Sequence, residues 1–224
     1  FHSGFVFALL VDKLAIVVFM TSPKTGVIYL GRRKLVSLQR KQDAVQALGL
    51  ILLCIPVLAF AADGGFSSLE SAEGIWSAIN RLSALLATAM LIIHIALVAR
   101  IPWIEGVLGL DKLTHSHKRL GKPILYLLAL HFVASLVSYS LIDGSGLTDA
   151  FFYLNQNFLS VTLATLALVL MVVVVVSSIR IARRKLSYEA WYLVHLISYL
   201  AIFLSIPHQY ELGSDFLSQP LLQS

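Results

Sequence analysis

One cysteine, six prolines and 13% charged side chains in 224 residues leave most soluble chemistries without material. With Cys54 alone there is no disulfide framework, no Cys-x-x-Cys pair and no Cys-x-x-Cys-His for covalent attachment of a prosthetic group. A lone cysteine in an apolar run ordinarily serves as a small hydrophobe, with a thiolate ligand as the alternative. No glycine-rich phosphate loop or flavin motif occurs, so this chain by itself cannot oxidise a nicotinamide. Charged residues make up about 25% of a soluble domain; here they are about half that and 58% of residues are hydrophobic, which marks an integral membrane protein. The net charge of +5 could suggest nucleic acid. The basic residues instead flank apolar runs, where they set membrane orientation. Lipid is the expected surrounding, and no nucleic acid partner is expected.

What is there in abundance is long apolar sequence. Residues 4–20 form a run broken by Asp12 and Lys13, marginal in length for a span. A signal peptide competes, but no basic n-region precedes the run and no small-residue cleavage site is evident. The first residue is Phe, so the chain is expected to be processed, trimmed or incomplete there. Further spans are expected over 45–62, 80–99, from His117 to about 143, over 152–178 and from His195. The fold class is therefore all-α, an integral membrane helical bundle of about six transmembrane helices. It divides into an N-terminal helix and basic segment (1–44) and a main membrane domain (45–224).

All 17 Lys and Arg residues except Lys13 and Arg81 lie in 21–44, 100–122 and 180–185. The intervening loops carry Asp63, Glu70, Glu73, Asp143, Asp149, Glu211 and Asp215 and no basic residue. The positive-inside rule then makes the basic loops cytoplasmic, leaves the C-terminus of this chain outside, and makes the His117 and His195 helices parallel.

Those two helices carry the chemistry. His117 and His131 are fourteen residues apart, which is roughly 21 Å of rise and about 40° short of four turns, so both imidazoles share a face at two depths. His195 and His208 repeat the pattern at thirteen residues. One histidine in an apolar helix is commonly a hydrogen-bonded packing residue. Four ionisable side chains in two helices with nearly one spacing are costly to bury without a purpose. They supply four axial nitrogens, the number needed for two b-type haems stacked across the bilayer, His117 with His195 inside and His131 with His208 outside. Thirteen residues also turn about 220° past whole turns, which points His208 away from the His195 face in an ideal helix. Pro207 offers a repair by re-winding its own turn. His115, about 200° from His117, is expected in a loop or at the interface, with inner ligation as the alternative. His94 is expected to be buried and neutral, hydrogen-bonded to a neighbouring helix, or else to back up the inner haem or bond a propionate. The inner propionates need cations, for which Lys118, Arg119, Arg184 and Lys185 are placed.

The chain resembles the ferric-reductase-like transmembrane domain of NADPH oxidases, ferric reductases and bacterial membrane ferredoxin-reductase-like flavoproteins. The resemblance spans roughly 45–216. It rests on His117-x13-His131, His195-x12-His208, the segment SYEAWYLVH with Trp191 four residues before His195, and ARIPWIE at Ala99–Glu105. It implies a bacterial plasma membrane and a cytoplasmic flavoprotein reductase, as domain or subunit, that takes hydride from NAD(P)H onto FAD. Single electrons then pass to the inner haem and on to the outer, which reduces oxygen or ferric iron. Arg81 is similar to an arginine beside the outer haem of the oxidases, the other reading being an arginine snorkelling at a span end. The family has a sixth core helix and a flavin domain beyond the point where this sequence stops, at Asp215–Pro220 and just after. FAD and NAD(P)H are thus expected only through a missing domain or a partner. Related stand-alone haem subunits, which pass quinol or flavin electrons to periplasmic reductases, are the alternative. A cofactor-free assembly or transport subunit, its histidines bonding only between helices, is the alternative of another class.

Overall fold

The computed structural model describes residues 32–67 and 69–212. The run at 4–20 and the acidic Asp215 lie outside the described residues. Within them the fold is entirely helical: α1 Arg32–Ala62, α2 Ala72–Ala96, α3 Pro102–Leu108, α4 Leu110–Asp143, α5 Leu147–Asn157, α6 Leu159–Ser178, the single turn α7 Arg180–Arg183, and α8 Tyr188–Leu212. Five stretches are long and apolar enough to cross a membrane: Ser37–Ala62 of α1, and α2, α4, α6 and α8. Helices are the expected solution, because in hydrocarbon each backbone N–H and C=O must find its partner within the segment. The protein is a membrane helical bundle.

Helix ends differ from the hydropathy pattern where polar chemistry extends or breaks a helix. α2 starts at Ala72 rather than near residue 80, since Ser71 Oγ accepts the backbone N–H of Gly74 at 3.0 Å and caps the first turn. α4 starts at Leu110, which brings His115 and His117 onto the helix. Gly109 makes that start possible: at φ 79° it turns the chain from α3 into α4, a backbone angle that costs glycine little. The expected single run over 152–178 is split. Asn155 and Asn157 each donate a side-chain bond to the carbonyl four residues back, at 2.9 and 2.8 Å, and Phe158 leaves the helix at φ −126°. The resulting α5 has 11 residues, too few to span about 30 Å of hydrocarbon.

The described residues form two compact units, those within 1–56 with 88–124 and those within 57–87 with 125–224. In the first, Gln42 Nε2 donates to the Val107 carbonyl at 3.1 Å, tying α1 to α3. In the second, α6 and α8 lie side by side along their length. Ala167, Met171 and Ala201 form the seam, with Leu125, Leu128, Leu170, Ile202 and Leu204 packed around it. Small residues at such a seam let helix backbones approach, which matters where lipid removes the hydrophobic drive between helices. Phe60, Ala78 and Leu85 form another cluster. Gly65 closes over it, and a Cβ there would lie 2.4 Å from the Phe60 ring. The outer surface of α8 is apolar and open at Leu193, Tyr199 and Phe203, as a lipid-facing helix requires.

Candidate functional site

The acidic-loop end of the second unit brings two of the four histidines together. His131 on α4 and His208 on α8 have ring centroids 5.9 Å apart with planes at 57°. His131 Nδ1 lies 3.1 Å from the carbonyl of Asn80 on α2. A carbonyl only accepts, so Nδ1 carries the proton and Nε2 the lone pair, the arrangement that orients a metal-ligating histidine. His208 Nδ1 is buried and has no hydrogen-bond partner among the described residues. α8 stays helical through Pro207.

Two imidazoles sharing one metal at about 2.0–2.1 Å from each nitrogen have centroids roughly 6 Å apart, so the observed separation fits axial ligation. Among the described residues no three His, Cys, Asp or Glu side chains converge. A pair suits haem, which brings its own four equatorial nitrogens and asks the protein only for axial ones.

At the basic-loop end each unit holds one histidine of the expected inner pair. In the first, His117 Nδ1 lies 3.1 Å from the His94 carbonyl, and the two rings stack with centroids 3.7 Å apart and planes at 19°. His94 is thus a ring partner of His117 as well as the carbonyl that sets its tautomer. His115 is on α4 and exposed. In the second unit, Ser178 Oγ donates to the Val174 carbonyl at 2.8 Å. Its lone pairs then accept from Trp191 Nε1 at 3.3 Å and His195 Nδ1 at 3.4 Å. Nδ1 of His195 therefore faces Ser178 at the end of α6, while the His208 ring faces His131 on α4. His208 meets His131 on a helix that continues through Pro207.

Of the cationic residues singled out by sequence, Arg81 pairs with Asp63 at 2.6 Å and lies 5.3 Å over the Phe60 ring. It directly follows Asn80, whose carbonyl holds His131. Arg119 is half-buried on α4 and Arg184 is exposed in the turn before α8. Arg183, which the sequence reading passed over, lies 4.8 Å above the Trp191 ring and donates to the Leu186 carbonyl at 3.2 Å. Asn80, acting through its backbone, and Ser178, distant in sequence from both partners, were also missed. The basic cluster around Arg183 was the only signal in reach.

A family model described as ferric reductase like transmembrane component matches residues 83–206, more than half of the chain. No curated protein and no solved structure matches significantly.

Proposed function

The chain belongs to the ferric reductase-like transmembrane component family, whose domains serve transmembrane electron transfer, and we propose that it does this with two b-type haems, held by His131 with His208 and by His117 with His195. The observation that carries the reading is the facing His131–His208 pair, with His131 held by the Asn80 carbonyl. Bound haem supplies iron that gains and loses one electron with its ligands in place.

The chain's own residues position and insulate. The carbonyls of Asn80 and His94 and the hydroxyl of Ser178 keep Nε2 of His131, His117 and His195 as the lone-pair nitrogen. The apolar helices keep water from the path. Electrons enter at the basic, cytoplasmic end from a flavin-dependent NAD(P)H reductase, a further domain or separate subunit. They leave at the acidic, extracytoplasmic end to oxygen or ferric iron, with Arg81 beside the outer haem. A reduced-minus-oxidised absorption spectrum of the purified membrane protein tests this, with a b-type difference spectrum at about two haems per chain expected. A haem-free chain that remains folded fits the cofactor-free assembly or transport reading instead.

Charge at the basic end adds a second expectation. Arg119 and Arg184 stand where inner propionates would need cations, and a nearby positive charge favours the reduced, more negative haem. Replacing either by Gln is expected to lower the inner midpoint potential, by roughly 60 mV for each 1.4 kcal/mol of lost interaction. The half-buried Arg119 should give the larger shift, because exposed Arg184 is better screened. A spectroelectrochemical titration unchanged in both variants removes this role.

A further inference from the structure

Resting on the haem reading above, we infer that Tyr188 and Trp191, with the cations of the α6–α8 turn, form the electron-uptake site, where a reduced flavin mononucleotide-type donor stacks and passes its electron through the indole toward His195. Trp191 is half-buried with its ring 5.1 Å from that of His195. The two side chains are joined a second time through Ser178 Oγ, which accepts from both. On the other side Trp191 meets Tyr188, ring centroids 6.1 Å apart. Tyr188 in turn stacks with Tyr192 at 6.2 Å and 13°. Tyr188 and Tyr192 are 61% and 48% exposed, so the ladder starts at the surface and ends on a ligand candidate.

An interfacial aromatic belt explains exposed tyrosines, but not an indole held by a hydroxyl against a histidine. Two features select the donor. The exposed rings are those of Tyr188 and Tyr192, suiting a planar donor, with Trp191 behind them under Arg183, and Lys185 is exposed immediately before α8, suiting a phosphate. The loops at the opposite end of the bundle are acidic and repel the same anion. In the step, the reduced flavin would give up one electron, and a haem iron held through His195 would supply the one-electron acceptor. No bond is made or broken at Trp191, which acts as a coupling residue and is not itself oxidised.

The test uses the full chain with haem bound and flash-photoreduced flavin mononucleotide as donor, followed by absorbance, beside wild-type protein whose spectrum first establishes that haem is present. Trp191→Leu should slow flavin-driven reduction by about tenfold, the size of one lost ring stack, with haem content, midpoint potential and the extent of dithionite reduction unchanged. Trp191→Phe, which keeps a ring but loses the N–H bonded to Ser178, should give a rate between those of Trp191→Leu and the wild type. Lys185→Gln should slow reduction and flatten its dependence on ionic strength. If Trp191→Leu loses haem, Trp191→Met takes its place with the same expectation. A wild-type rate in the non-aromatic variant overturns the inference, as does a rate change fully explained by a shifted potential. Either result leaves the haem reading intact, since that stands on the wild-type spectrum.

Discussion

Leucine at His131 or at His208 is expected to take haem content from about two per chain to about one, and both substitutions should remove the same spectral component. The two rings face each other at 5.9 Å, so an iron shared between them would lose an axial ligand with either, and leucine cannot replace it. The predicted loss is large because no third His, Cys, Asp or Glu converges there among the described residues. Leucine at His117 or His195 should spare that component and abolish the other. Haem quantitation with low-temperature spectra of the four variants reads both statements. Retention of both haems in any one of them removes that residue from the ligand set. Asn80→Ala should be nearly silent by comparison, because His131 is held by the backbone carbonyl of Asn80 and alanine keeps that group.

That last contrast shows how far the sequence could be read. The membrane helices were legible because lipid imposes one rule on every residue: apolar runs of the right length must be helical. The histidine spacings were legible because helical geometry converts sequence distance directly into depth and face. The supports were not. Asn80 acts through its main chain, which every residue type shares. Ser178 joins Trp191 and His195 across a turn between two helices, a contact decided by packing. The break at Phe158 depended on Asn155 and Asn157 turning their amides onto backbone carbonyls. Hydropathy does not register that, so the 152–178 run read as one helix. The concern over His208 came from demanding that both α8 histidines share a face. In the structure His208 meets His131, Nδ1 of His195 meets Ser178, and α8 continues through Pro207.

Carbon monoxide is expected to leave the reduced spectrum of the intact protein unchanged, and the electron is expected to leave by outer-sphere transfer at the porphyrin edge. If His131 and His208 both ligate, iron held between them would have no open position, and neither oxygen nor a ferric complex could bind the metal itself. The acceptor must then approach from the acidic-loop end, and charge there biases the choice. Glu70, Glu73, Asp143, Asp149 and Glu211 are exposed at that end, while Asp63 is partly neutralised by Arg81 at 2.6 Å. A field of this sign concentrates cations and repels anions, with a reach of about 10 Å at 0.1 M salt. Cationic ferric complexes should therefore be reduced faster than anionic ones of equal potential, and the gap should close as ionic strength rises. Oxygen, being neutral, should show no such salt dependence. Arg81→Gln frees the Asp63 carboxylate and removes a positive charge, so it should widen the preference for cationic acceptors. Stopped-flow oxidation of the reduced protein by a matched pair of complexes measures the ratio directly. Rapid and complete carbon monoxide binding by the intact reduced protein would establish an open iron site, and the edge-transfer mechanism would have to be abandoned.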